Sequence, residues 1–277
     1  MDEPVLKVEI ADGVATLTLN RPRALNALSR ELRQAIVRAF EDLGRDKGVG
    51  VVILTGSGRA FSAGLDLKEL GGESGPSSDR PLAGGAENAE SAITSLDVVG
   101  AIEAFDRPVI GGINGFAITG GFELALACDL LIASTEARFA DTHARVGIMP
   151  GWGLSQKLSR AIGIYRAKEL SLTGNYLAAD RAYEWGLVSR VVAPDELLPT
   201  CHALARDMLS CDPTVLRGYK RVIDEGFAVT FREGRQLETD ASRKHARAVT
   251  SDAIAERRRV VQERGRAQSK DAPPDRR

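Results

Sequence analysis

The chain has 277 residues, 43% of them hydrophobic, with 37 basic and 38 acidic side chains for a net charge of −1, enough for one large α/β domain or a domain with an extension. That balance argues against nucleic acid as a partner: Arg257, Arg258, Arg259, Arg264 and Arg266 are interspersed with acids and read as a solvated helix face. No apolar run approaches membrane-spanning length, MDEPVLKVEI lacks a signal-peptide layout, and Cys128, Cys201 and Cys211 lack metal-ligand spacing, so a cytoplasmic protein with reduced thiols and no membrane partner is expected.

Residues 5–10 and 14–19 alternate apolar and polar positions around Asp12-Gly13, which predicts an opening hairpin. Asn20-Arg21-Pro22 breaks it. Ser29 then reads as an N-cap for a helix whose apolar face is Leu32, Ile36, Val37, Phe40 and Leu43, ending at Gly44. Residues 49–55 form a continuous apolar strand of the kind buried on both faces. Gly56-Ser57-Gly58 invites a dinucleotide-binding reading, but Phe61 stands at the third glycine and the chain returns to an extended segment instead of opening a long helix. Residues 71–85, rich in glycine, proline and serine, read as a surface loop. Ile93, Leu96, Val99, Gly100, Ile102 and Phe105 mark a helix ending before Arg107-Pro108.

The stretch PVIGGINGFAITGGFELALACDLLIA follows. Residues 109–113 read as a buried strand; Gly115, Gly120 and Gly121 let the backbone turn tightly and approach a ligand. From Phe122 the helix is apolar nearly all round, so it is buried, and its first turn presents free N–H donors and a positive dipole end where an oxyanion would be stabilised. It carries one acid, Glu123, which by the motif alone reads equally as a dipole partner or cap and as a catalyst. Residues 130–133 predict another strand, Pro150, Gly151 and Gly153 a turn, and Leu154, Leu158 and Ile162 a short helix. Helices at 166–172 and 178–185 and a last strand at 187–192 lead into an all-helical stretch from Asp195 to Gln268, with breaks at Asp212-Pro213, near Gly226 and around Thr250-Ser251. The polar tail 269–277 need not be ordered.

The run NGFAITGGFELALACD resembles the signature of the crotonase (enoyl-CoA hydratase/isomerase) superfamily. RPRALNALS, GRAFSAGLDLKEL, FADTHARVGIMPGWGLSQKLSRAIG and LTGNYLAADRAYEWGLVSRVV resemble its other landmarks in order, over roughly residues 5–265. The resemblance implies an α/β fold, the crotonase-type spiral of ββα units, with an acyl-CoA-binding core over 1–194 and a helical oligomerisation region over 195–268, assembled as a homotrimer or dimer of trimers. It implies an acyl-CoA thioester as substrate and no separate cofactor, coenzyme A entering as part of that substrate. The thioester oxygen would sit between the N–H groups of Leu65, turned inward by Gly64, and Gly120, each such donor being worth about 3 kcal/mol. Coenzyme A would lie along Arg23, Ala24, Ala63, Leu65, Asp66, Leu67 and Lys68, with Arg23 or Lys68 near its phosphates; either cation reads equally as surface charge.

Within the family a hydratase uses two glutamates. Glu123 matches the first, and His143 occupies the position of the second. His143 reads evenly as a proton relay near neutral pH and, paired with Asp141, as a structural element of the pocket wall. Hydration of a 2-enoyl-CoA is the leading expectation. An enoyl-CoA isomerase, another enolate-forming enzyme or a non-catalytic acyl-CoA binder stand as alternatives, because one family glutamate is replaced. Thr119, where many relatives have a further glycine, is expected to be tolerated if its backbone stays in a common region of φ/ψ space. A Ser-His-Asp hydrolase is set aside for want of a G-x-S-x-G elbow, His202 and His245 reading as ordinary helix residues; Asp129, Asp141 and His143 lack the spacing of a metal set.

Overall fold

The computed structural model describes residues 3–66, 69 and 96–271; the expected loop at 71–85 and helix position Ile93 lie outside them. The opening hairpin pairs β1 (Leu6–Ala11) with β2 (Val14–Leu19), and Asp12 and Gly13 both take positive φ, 50° and 79°. That pair of values matches the two-residue turn whose twist suits an antiparallel hairpin. Strands β3 (Val51–Gly56), β5 (Val109–Ile113), β7 (Leu130–Ser134) and β10 (Arg190–Val192) extend the sheet in parallel, in the order β1-β2-β3-β5-β7-β10. A second, smaller sheet has the order β4-β6-β8-β9, from β4 (Ala60–Ser62), β6 (Phe116–Ile118), β8 (Arg138–Ala140) and β9 (Leu177–Ala178).

Each of β3, β5 and β7 is followed within a few residues by its partner in the small sheet, β4, β6 or β8, and β6 and β8 run straight into helices. This is the expected ββα spiral. Its helices are α1 (Arg30–Arg45), α2 (Val98–Glu103), α3 (Gly120–Leu126), α4 (His143–Val146), α5 (Leu154–Ile162), α6 (Ile164–Thr173) and α7 (Ala179–Glu184). Helix α1 forms where the sequence places it: the Ser29 hydroxyl accepts from the Leu32 N–H at 3.2 Å, and Leu32, Ile36, Phe40 and Leu43 are buried. Burial of each such side chain contributes about 1.5–3 kcal/mol, and Ser29→Ala would forfeit about 1 kcal/mol of capping. At the other end, buried Arg107 donates to the carbonyls of Leu43 and Asp46, both at 2.6 Å, so the chain entering β5 closes off the open end of α1.

The inner strands of the large sheet are buried on both faces, as the continuous apolar runs of β3 and β5 require, while the edge strand β1 is largely exposed. One face packs into the core that holds Leu17, Leu54, Phe122 and Phe139. The other is covered by α8 (Leu197–Leu209), whose Leu197, Cys201 and Ala205 meet Val51, Ile53, Ile110 and Ile132. Compactness divides the chain into two units, 1–217 and 218–277, so α8 lies in the first although it falls within the helical stretch expected from Asp195. The second unit holds the end of α9 (Pro213–Phe227), then α10 (Phe231–Ala246) and α11 (Ser251–Asp271). Helix α10 begins with a capping box in which Thr230 and Glu233 bond each other's backbone. Among the described residues no helix is long and apolar enough to cross a membrane.

Candidate active site

The site forms where the small sheet hands the chain from β6 to α3 and from β8 to α4. Helix α3 is buried from Gly120 to Ala125, and Glu123 in its first turn is 3% exposed. A carboxylate there is stabilised by the positive end of the helix, yet its two oxygens have separate tasks. Oε1 accepts from the N–H of Trp152 at 2.9 Å and of Leu154 at 3.4 Å, which caps the start of α5. Oε2 instead faces His143 Nε2 across 3.6 Å. The capping reading therefore describes one oxygen, applied to another helix, and leaves the second oxygen available for chemistry. Burial raises the Glu123 pKa above the usual carboxylate range, against the opposing pull of the Trp152 N–H, the His143 ring and the Leu154 N–H.

His143 opens α4 and is 7% exposed. Its Nδ1 lies 2.7 Å from Asp141 Oδ1, and its own N–H donates to the same oxygen at 3.2 Å. An ionised carboxylate can only accept, so Nδ1 carries the hydrogen and Nε2 is the atom turned to Glu123. Desolvation is the largest single influence on Asp141 and pushes its pKa up. Hydrogen bonds from the His143 ring, Ser171 and the His143 backbone outweigh it, and the carboxyl is held below its ordinary value. Ser171, Asp141, His143 and Glu123 thus form a polar chain ending at the cavity. The 3.6 Å gap between Glu123 and His143 exceeds a hydrogen bond, which leaves both free to bond a third group.

That third group would occupy a cavity of about 80 Å³ lined by Ala63, Leu65, Thr119, Gly120, Glu123, Thr142, His143, Val146, Ile148, Met149, Gly151 and Trp152. The two backbone groups expected to hold an oxyanion both line it. Gly64 has φ +89°, and a Cβ there would stand 2.9 Å from the Ile118 carbonyl and 3.0 Å from the Gly120 nitrogen. Only glycine lets the two strands approach so closely, which brings the Leu65 N–H beside Gly120. Neither the Leu65 nor the Gly120 N–H donates in the backbone hydrogen bonds of the described residues. The arrangement can place a carbonyl oxygen against two N–H donors with a carboxylate and an imidazole near its carbon chain.

Arg23 and Ala24 are exposed on a 3-10 turn (Pro22–Ala24) outside the cavity. Their segment is tied to the site: Ala63 N–H donates to Leu25 O at 2.9 Å and Leu28 N–H to Gly64 O at 2.8 Å. Arg21 Nη1 pairs with Asp66 Oδ2 at 2.9 Å, so the Asp66 carboxylate serves this join. Asn26, wholly buried at φ 54°, donates to the carbonyls of Ser57 and Ala60. Leu67 and Lys68 lie outside the described residues.

One expectation is corrected. Thr119 does not stay in a common backbone region: φ is 51° and ψ −112°, a genuine outlier for a β-branched residue that costs about 1–3 kcal/mol. It occupies the N-cap of α3 without capping it, because the positive φ turns its hydroxyl to Thr142 Oγ1 and the Thr142 N–H, the latter at 3.3 Å. Sequence reading also missed Arg21, Asn26 and Thr142 as parts of this site. For the first two the signal was the RPRALNALS landmark itself. His202, on α8, has Nε2 3.5 Å from Thr16 Oγ1, and His245 lies in the last turn of α10, both away from the cavity lining.

Comparison with known proteins bears on this geometry. A model of the family described as enoyl-CoA hydratase/isomerase matches residues 9–268. The chain is 40% identical over 253 residues to a probable peroxisomal enoyl-CoA hydratase 1 of Arabidopsis thaliana, 91% of each chain being covered. It is 36% identical over 235 residues to a crotonyl-CoA hydratase of Syntrophomonas wolfei, covering 84% of this chain and 86% of that one. Among solved structures, an enoyl-CoA hydratase of Bacillus anthracis superposes with a TM-score of 0.83 at 34% identity, covering 94% of this chain and 96% of the other.

Proposed function

The chain belongs to the enoyl-CoA hydratase/isomerase family, and from that premise we propose that it adds water across the 2,3 double bond of a 2-enoyl-CoA thioester. The observation that carries this reading is a cavity lined by Leu65 and Gly120, whose N–H groups have no backbone acceptor among the described residues, together with a carboxylate and an imidazole 3.6 Å apart. Seated on the two donors, the thioester oxygen takes up negative charge as a nucleophile adds at C3. Glu123 Oε2 accepts a proton from water, whose oxygen bonds to C3. His143, oriented through Nδ1 by Asp141, gives a proton from Nε2 to C2 as the enolate collapses. The proton on Glu123 then passes to His143 Nε2 through a solvent water bridging the 3.6 Å gap, and the site has returned to its starting state with one water added. Raising the Glu123 pKa by burial brings it nearer the operating pH, where general base catalysis is most effective.

No resident cofactor enters this scheme, coenzyme A being part of the substrate. Its nucleotide end runs along the exposed turn with Arg23 and Ala24, next to Ala63 and Leu65. The chain assembles as a homotrimer or dimer of trimers through its C-terminal helices, a reading supported by exposed apolar side chains there, among them Tyr219, Ile223, Phe227 and Phe231. Isomerisation is the weaker reading, since the relatives above carry hydratase names and two acid-base groups are present. Incubation with a panel of 2-enoyl- and 3-enoyl-CoAs, with products identified by mass spectrometry, tests the proposal. The expected product is a 3-hydroxyacyl-CoA from the 2-enoyl substrates; double-bond migration alone, or acyl-CoA binding without turnover, would overturn it.

A further inference from the structure

Among the described residues, Thr119 is the one residue of the cavity lining that combines a positive φ with a side chain. Its ψ sets the plane of the peptide whose N–H belongs to Gly120, so the unfavourable backbone of Thr119 is what directs that donor. Glycine would adopt φ 51° and ψ −112° freely, but nothing would hold it there. Threonine resists the conformation and then fastens it. The hydroxyl meets Thr142 Oγ1, accepts from the Thr142 N–H at 3.3 Å, and the Thr119 N–H donates to Ala140 O at 2.8 Å. Thr119 stands at the head of the helix carrying Glu123, and Thr142 immediately precedes His143. One pair of hydroxyls therefore bridges the two elements that bear the acid-base groups, at the point where the oxyanion donor begins.

We infer that Thr119 and Thr142 form a hydroxyl latch, two positioning residues that fix the direction of the Gly120 N–H and the separation of Glu123 from His143. Strained backbone persists where surrounding contacts over-determine it, and it is concentrated at sites whose geometry has to be held. The loss of ordinary helix capping at Thr119 fits the same account, because the hydroxyl that would cap α3 is given to Thr142. This inference rests on the hydration reading for its kinetic consequence, while its structural consequence concerns any bound acyl thioester.

The test compares Thr119→Val, Thr119→Gly, Thr119→Ser and Thr142→Val. Thr119→Val keeps the branched shape and loses the hydroxyl; kcat for a 2-enoyl-CoA should fall about 10- to 100-fold, the scale on which a displaced catalytic group is felt, with KM changed less than about twofold. Thr119→Gly should melt no lower than the parent chain, since the conformational penalty is gone, and still turn over about tenfold more slowly. Thr119→Ser, which keeps the hydroxyl, should recover most of the rate. Thr142→Val should match Thr119→Val, and the double variant should be no slower than either single one, as expected when two groups act as a unit. A non-reacting saturated acyl-CoA supplies a second readout. Its thioester C=O infrared band should be displaced on binding to the parent chain and return toward the free position in the Val and Gly variants. If the parent chain hydrates nothing, the function proposed above fails, and the infrared comparison still decides the latch. Full turnover with an unchanged carbonyl band in Thr119→Gly, or a Ser variant as slow as the Val variant, would overturn it.

Discussion

The two walls of the cavity are built by different means. The wall proposed to receive the carbonyl oxygen consists of backbone N–H groups at Leu65 and Gly120, and its geometry depends above all on the missing Cβ of Gly64. The opposite wall consists of side chains, Glu123 and His143, each oriented by a further partner: the start of α5 for one and Asp141 for the other. A backbone wall tolerates exchange of the side chains beside it, whereas a side-chain wall is defined by their identity. Changes between relatives that alter the reaction therefore belong on the second wall, where Glu123 and His143 stand.

Substitutions can break this contrast. The largest effect is expected from Glu123→Gln, which preserves shape and the cap on α5 but removes the base; turnover should fall roughly 10²- to 10⁴-fold with acyl-CoA affinity nearly intact, as steady-state kinetics and calorimetry would show. An unaltered rate would refute the assignment of catalysis to this turn. Gly64→Ala acts on the other wall without touching a reactive side chain. With φ +89° and the Ile118 carbonyl 2.9 Å from the new Cβ, it should displace the Leu65 donor and lower kcat by about 10²- to 10³-fold. His143→Ala should lower hydration by about 10²-fold. His143→Glu puts two carboxylates at the cavity, and a faster hydration than the parent's would mean that this chain is specialised away from it.

The smallest effects are on stability, and their signs oppose. Glu123 holds its proton more tightly folded than unfolded, so the parent chain loses stability as pH rises from about 4.5, the ordinary carboxyl value, through the raised one. Glu123→Gln lacks this loss, and its advantage in melting temperature should open with rising pH and vanish below that window. Asp141 is depressed instead: its stabilisation is complete above the ordinary value of 3.8 and is lost as pH falls through the lower folded value. Asp141→Asn should accordingly melt below the parent at neutral pH, with the difference closing in acid. Melting curves at several pH values separate the two.

The same contrast explains how much could be read from the sequence. The hairpin, the Ser29 cap and the apolar parallel strands were legible, because periodicity carries them within a few residues, while Glu123, Leu65, Gly120 and His143, named through the family resemblance, fall together on one cavity lining. The small sheet was not, since strands of two or three residues such as Leu177–Ala178 hold no usable alternation. Nor was the division of labour in Glu123, whose cap partner Trp152 lies 29 positions away. Thr119 was noticed as a departure, but its backbone is set by Thr142 and Ala140, which no local pattern reveals. Helical periodicity likewise marked α8 without showing that its buried face would close the sheet.

The ties between residues 21–28 and 57–66 have a thermodynamic consequence. Arg21 with Asp66, Asn26 with Ser57 and Ala60, Leu25 with Ala63 and Leu28 with Gly64 join the exposed turn to the donor loop at closely spaced points before any ligand arrives. Backbone already held in one conformation has little freedom left to lose, and fixing a loose segment would otherwise cost about 1–2 kcal/mol per residue. The amide hydrogens of Ala63 and Leu28 should accordingly exchange slowly with deuterated solvent in the unliganded chain, and occupancy should slow them little further. Association at this edge would then draw its free energy from contact and charge, with little of it consumed by ordering the protein.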